Sequence, residues 1–174
     1  MRRTTTTRAR GREAELLGEL EEVYRDADGA FAGWSCPAST ECCRFGITGR
    51  EPYVTSIELA AVRRALAARG GPRSVRLAAP LTVPSPSGAR RLPTAPPERT
   101  CPLLAEGGRC AIYTSRPLGC RTFYCDRADP GPPVRHRDLL ALVRRVQEIA
   151  ARHEPTGDQG RPLTRALPRP TDPC

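Results

Sequence analysis

The chain has no lysine, no asparagine, one methionine, one tryptophan and only two histidines, His136 and His153, in 174 residues. All 28 basic side chains are therefore arginine, and with 19 acidic residues the formal net charge is +9. Such a complete bias reads as genome composition rather than as the mark of a partner. The arginines are dispersed, paired only at Arg2-Arg3, Arg63-Arg64, Arg90-Arg91 and Arg144-Arg145. Dispersed positive charge gives weak, salt-sensitive attraction to nucleic acid, not a specific site, which needs basic residues clustered among aromatics.

Two histidines leave little for acid–base chemistry, and the chain contains no G-x-S-x-G, H-E-x-x-H or glycine-rich phosphate loop. No apolar run approaches the roughly 20 residues needed to span a bilayer as a helix. The start, "MRRTTTTRARGREAELL", lacks the apolar segment of a secretory signal. The expectation is therefore no membrane association and a cytoplasmic location, a setting that keeps thiols reduced.

Apolar residues make up 39% and aromatics 5%, against 19 prolines and 15 glycines, so the core is modest and much of the chain irregular. A chain like this needs a staple to define one structure. Eight cysteines are available for it.

Helical spacing of Leu16, Leu17, Leu20, Val23 and Tyr24 predicts an amphipathic helix from Arg10 to Asp28, its apolar face over the cysteines and its acids simply solvated. In "VTSIELAAVRRALAARGG", Thr55 and Glu58 form a capping-box pattern, and Gly70-Gly71 ends the helix. Tyr53-Val54 before it reads as extended. A third helix runs from Arg137 to His153, with Leu139, Leu140, Leu142, Val143, Val146 and Ile149 apolar. The proline-rich loop 70–100 allows a short strand from Val75 to Val83 and a turn at "PSPSG". The segment "CAIY" reads as extended and "SRPLGC" as one helical turn.

The expected fold is mainly α, a small irregular α+β domain with three helices and short extended segments around a cysteine-rich metal site. Residues 1–9 read as a disordered basic arm, 10–153 as the single domain, and 154–174 as a disordered Pro/Arg-rich tail.

Seven of the cysteines fall in two groups, "CPASTECC" at 36–43 and "CPLLAEGGRCAIYTSRPLGCRTFYC" at 101–125. They sit among turn-forming residues, and the three predicted helices contain none. Thiolates on tight turns suit zinc, an iron–sulfur cluster or cuprous copper, and scarce histidine implies a mostly sulfur site. Yet no CxxC pair occurs, so the zinc-ribbon and ferredoxin spacings fail. Spacing alone leaves metal ligands, disulfides and reduced structural thiols open.

The adjacent pair Cys42-Cys43, the helix "VTSIELAAVRRAL" and the block "CPLL…G.C.IY..RP..CR.F.C" together resemble the YkgJ-type cysteine-cluster family, described as zinc- or iron-chelating. The resemblance covers residues 34–127, over half the chain. It implies metal ligation by Cys36, Cys42, Cys43, Cys101, Cys110, Cys120 and Cys125. One departure matters: the family's first group reads CxxCxxCC, and its second position is Ser39 here, a poor ligand for a soft metal. Adjacent Cys42 and Cys43 are expected to serve different sites or two irons of one cluster. Arg116 and Arg121, in "RPLGCR", are candidate cofactor-binding residues that donate to cluster sulfurs or an anionic group. A structural ion pair with a helix acid is the alternative for both. Tyr113, Phe123 and Tyr124 are expected to shield the site, Phe31 and Trp34 to do the same beside Cys36, and Cys174 to be an incidental thiol.

The functional expectation is a cysteine-cluster protein holding an iron–sulfur cluster or zinc, with a redox, sensing or metal-handling role. One alternative is a cluster-dependent methyltransferase, because flagellin lysine methylases are similar in their cysteine region; this chain carries no recognisable S-adenosylmethionine pocket motif. The other is a structural module stapled by zinc or disulfides.

Overall fold

The computed structural model describes residues 3–36, 40–71, 99–124, 128 and 130–167. Ser39, Cys125, Cys174, the expected strand Val75–Val83 and the "PSPSG" turn lie outside the described residues. Among those described, helices dominate and the only sheet has two antiparallel strands, so the mainly α, small α+β class holds.

Helix α1 spans Arg3–Ala30 and so takes in most of the stretch expected to be a disordered arm. Four threonines in a row are poor helix initiators, but an existing helix gains one hydrogen bond for each residue added at its end. Its Leu16, Leu17, Leu20, Val23, Tyr24 and Ala27, three or four residues apart, are all buried. They pack against Leu142, Val146, Ile149 and Ala150 of α5 (His136–His153), with Ile57 and Leu118 completing this first core. Leu140, expected on that face, points to solvent at 40% exposure, because its position falls outside the 3.6-residue stripe. No described helix is long and apolar enough to cross a membrane.

Four of the seven acids of α1 are paired, not merely solvated. Glu19 meets Arg152, Asp26 meets Arg145 at 2.5 Å, Asp28 meets Arg121 at 2.5 Å, and Glu21 faces Arg64 at 3.9 Å. The three exposed pairs contribute about 0–1 kcal/mol each, so they orient α1 more than they hold it, whereas Arg121 is buried.

Helix α3, Ser56–Ala68, starts at the predicted capping box: Glu58 accepts the Thr55 backbone N–H at 3.0 Å, and the Thr55 hydroxyl oxygen accepts the Glu58 N–H. It ends where Gly70 and Gly71 adopt φ of 88° and 92°, with the Gly71 N–H returning to the Leu66 carbonyl. One turn of α3 feeds the first core through Ile57, and Leu59, Val62 and Leu66 feed a second. That second core gathers Phe45 of the short α2 (Phe45–Thr48), Val54, Cys101, Leu103, Leu104 and Ile112.

The chain beyond α5, expected to be disordered, folds back onto this second core. Strand β1, Tyr53–Val54, pairs with β2, Arg161–Pro162, and α6, Leu163–Ala166, follows at once. Leu163 is fully buried and Ala166 nearly so. The loop between α5 and β2 adds a second cap to α3: an Asp158 carboxylate oxygen accepts the Ser56 N–H at 2.6 Å, and the Ser56 hydroxyl meets His153 Nδ1 at 2.7 Å. Glu51 does the same for α6, accepting the Thr164 N–H at 2.8 Å and its hydroxyl at 2.5 Å. A Pro/Arg-rich composition masked these anchors because each depends on a partner over 90 residues away in sequence.

Candidate metal centre

The two cysteine groups meet along the edge of the second core. A 3-10 turn, Glu41–Cys43, carries the first pair, and its N-cap Thr40 is held at φ 62°, the one non-glycine residue of positive φ among those described. A β-branched residue in that region is strained, and strain of this kind persists only where surrounding structure enforces it. From Cys43 the chain runs antiparallel to the start of the second group. The Cys101 N–H donates to the Cys43 carbonyl at 2.7 Å, Arg44 bridges Thr100, and the Gly46 N–H reaches the Arg99 carbonyl. A turn through Gly108 (φ 70°) then folds Cys110 back beside Leu104.

A second 3-10 turn, Tyr113–Ser115, leads to Pro117, which caps the single-turn helix α4, Leu118–Arg121. The Cys120 N–H donates to the Pro117 carbonyl at 2.9 Å, so Pro117 does present Cys120 as its sequence position predicts.

Four thiols from three turns thereby come together. Cys42, Cys43, Cys110 and Cys120 each lie within electrostatic range of the other three. Cys101 joins through a thiol interaction with Cys43. The Cys42 and Cys43 sulfurs are 3.9 Å apart. The edge of a tetrahedral zinc–thiolate site is about 3.8 Å, from a Zn–S bond of about 2.3 Å. Their separation is therefore compatible with one shared ion as well as with the expected alternatives, different sites or two irons of one cluster. As they stand, no three His, Cys, Asp or Glu side chains among the described residues converge closely enough to hold a metal ion.

Every thiol of this quartet resists ionisation. The Cys42 thiol is raised well above its ordinary value, first by its hydrogen bond to Cys43 and then by burial. Cys43 is pushed up to about 12, chiefly by its interaction with Cys101. Burial raises Cys110, and burial with the neighbouring thiols raises Cys120 well above the usual thiol range. Thiols held neutral in this way are weak nucleophiles. A soft cation brought among them would supply the missing positive charge and take the place of the protons. Among the described residues no cysteine is disulfide-bonded.

Arg116 acts to lower the Cys42, Cys110 and Cys120 values, and Arg69 adds to its effect on Cys110. Its guanidinium lies 3.9 Å over the Tyr113 ring and donates to the Tyr113 and Cys120 carbonyls. Arg121 has the other role weighed for it, the ion pair with a helix acid. It is 4% exposed, donates to the Arg116 carbonyl at 2.8 Å, to Asp28 at 2.5 Å and to the Thr114 carbonyl, and lies 4.2 Å over the Tyr24 ring.

Cys36 differs from the other described thiols in being exposed, and it lies within electrostatic range of Tyr124. Tyr124 stacks on Phe31 at 5.6 Å, with Trp34 tilted against both. The Trp34 indole N–H donates to the Pro132 carbonyl where Gly33 and Gly131 cross; a Cβ on Gly131 would lie 2.5 Å from the Gly33 backbone. Of the expected shielding residues, Tyr113 is 49% exposed beneath Arg116, and Phe123 is half-buried beneath Arg50.

One supporting residue is absent from the sequence reading of the site. Glu58, 3% exposed, accepts from the Leu118 N–H at 2.8 Å and the Tyr24 hydroxyl at 3.4 Å as well as from Thr55. It therefore ties the start of α3 to the turn that carries Cys120. Its capping-box position was legible, but its second partner is 60 residues away. No family model, curated protein or solved structure matches the chain.

Proposed function

We propose that the protein is a metal-binding cysteine-cluster protein of the YkgJ type, holding zinc or an iron–sulfur cluster through thiolates. The observation that carries this reading is the mutual proximity of Cys42, Cys43, Cys110 and Cys120, drawn from three separate turns, with Cys101 against Cys43. Four soft donors with no histidine among them and arginines in range fit a thiophilic metal and no hard cation. The bound metal would contribute to folding by joining turns far apart in sequence, and a redox-active cluster would supply electron transfer or sensing. Arg116 serves as the residue that offsets the negative charge of the loaded thiolates.

Metal and sulfide analysis of protein purified without oxygen tests this. Iron with acid-labile sulfide and absorbance near 400 nm identifies a cluster; about one equivalent of zinc in colourless protein identifies a zinc centre. Protein with neither, and no gain in stability on adding either, overturns the proposal.

A second reading has its own observation. Cys101 is 5% exposed within the second core, and Cys43 and Cys110 pack against it. On this reading the thiols are reduced core side chains, and the metal-free protein is as stable as any preparation.

A further inference from the structure

A cavity of about 470 Å³ opens between α1, α3 and the Tyr113–Ser115 turn. Ala61, Ala65 and Ala68 make the space: spaced four and three residues apart on α3, they leave one helix face without side-chain bulk. The inner wall is Tyr24 and Arg121, both buried. The rim carries Arg25, Arg64, Ser115 and the acids Glu21 and Asp28.

With Arg121 of the wall counted, the lining holds three arginines against two acids. Asp28 is bonded to Arg121 at 2.5 Å, and the other Arg121 donors reach the Thr114 and Arg116 carbonyls. Glu21 faces Arg64 at 3.9 Å, too far for a hydrogen bond. Arg25 has no ion pair or hydrogen bond among the described residues. The groups still able to bond a ligand are two exposed guanidiniums, a hydroxyl and the single Glu21 carboxylate, above a floor of methyl groups and a tyrosine ring.

We infer that this cavity binds a small organic anion with an apolar body, its carboxylate, sulfonate or phosphate held by Arg25 and Arg64 and its body against Ala61, Ala65 and Tyr24. The volume lies within the range of small-molecule sites, about 300–1,000 Å³. A guanidinium pair recognises such groups by charge-assisted, bidentate bonds. Tyr24 is within electrostatic range of Cys120, so the bound body sits one layer of side chains from the thiols. The inference holds whether or not those thiols carry metal.

The test uses the full chain with anilinonaphthalene sulfonate as the probe and uncharged phenylnaphthylamine as its control. Saturable binding is expected, with a Kd on the order of tens of micromolar. The neutral probe should bind at least about tenfold more weakly, and the double variant Arg25→Ala/Arg64→Ala should lose a similar factor for the sulfonate. Both arginines are exposed, so the variant's melting temperature should stay within about 2 °C. Ala68→Trp, at an exposed position on the last turn of α3, should block the mouth and abolish binding of either probe. Equal affinity for the neutral probe, unchanged sulfonate binding in the arginine variant, or unchanged binding in Ala68→Trp would each overturn the inference.

Discussion

The backbone N–H of Cys101 donates to the carbonyl oxygen of Cys43 at 2.7 Å, and the two thiols interact as well. One backbone bond therefore joins the two cysteine groups across the proline-rich stretch, before any metal is considered. Substituting Cys101→Ser puts a hydroxyl into a 5% exposed apolar site and should cost about 1–3 kcal/mol. On the metal reading, Cys101→Ser and Cys120→Ser also lower metal content, whereas Cys36→Ser, at an exposed thiol, changes neither metal nor stability. Elemental analysis beside thermal unfolding separates the two effects. Full metal content in Cys120→Ser would move the centre elsewhere.

Asp158 anchors the returning tail. Burial alone would raise its carboxyl, but hydrogen bonds from the Ser56 backbone, the Ser56 hydroxyl and the Gly160 N–H outweigh it and hold the value below the ordinary range. A lowered native pKa means this contribution is present above the unfolded carboxylate pKa of about 3.9 and is lost as pH falls through the lower native value. Asp158→Ala should destabilise by about 1 kcal/mol at neutral pH, as for loss of a helix cap. It should also speed trypsin cleavage after Arg165, read by mass spectrometry.

What could be read from the sequence was what local chemistry controls. The α3 capping box at Thr55 and Glu58, its Gly70-Gly71 end, and α5 to His153 are all encoded within a few residues. Tyr53-Val54 was legible as extended, but its partner Arg161–Pro162 was not. A two-residue strand and a four-residue helix have no periodicity to detect, and Leu163 is held by a core that exists only once the chain has folded. The site divides in the same way. Clustering placed the cysteines in two groups, while the exposure of Cys36 and the commitment of Arg121 to Asp28 depend on tertiary packing.

Glu58 titrates in the opposite sense to Asp158. Burial raises its carboxyl above the usual value despite its four hydrogen-bond donors. Its term favours folding fully below the unfolded pKa of about 4.3 and is lost as pH rises through the higher native value. Glu58→Gln turns an amide N–H₂ toward groups that themselves donate, so it should cost about 1–3 kcal/mol. That deficit should narrow as pH rises from 4 toward neutral, because only the wild type carries the titrating term. Denaturant unfolding at several pH values measures it, and a deficit constant with pH would show that Glu58 is not the group responsible.

Arg121→Lys should be far from conservative. The guanidinium serves Asp28 and two carbonyls with its planar fork while its face covers Tyr24, and an ammonium cannot reach three acceptors in that geometry. A loss of about 2–4 kcal/mol is expected from unpaired buried carbonyls and the lost ring contact. Thermal unfolding checks it, and a change below about 0.5 kcal/mol would mean water replaces the lost donors.

Arg116 should behave differently, affecting the metal more than the fold. Four thiolates around a divalent ion leave an excess of negative charge, and Arg116 is the cation that acts on Cys42, Cys110 and Cys120 together. Its own contacts are two carbonyls and an exposed tyrosine ring, so Arg116→Gln should cost the fold only about 1 kcal/mol. Zinc affinity at neutral pH should fall about tenfold or more, as for loss of a group that supports metal ligands. Arg116 lowers the thiol values, so its removal makes protons stronger competitors, and the affinity deficit should shrink at higher pH. Arg116→Lys should recover part of the affinity because the charge remains. Chelator competition at two pH values reads all three effects, and an unchanged zinc affinity in Arg116→Gln would remove Arg116 from the site.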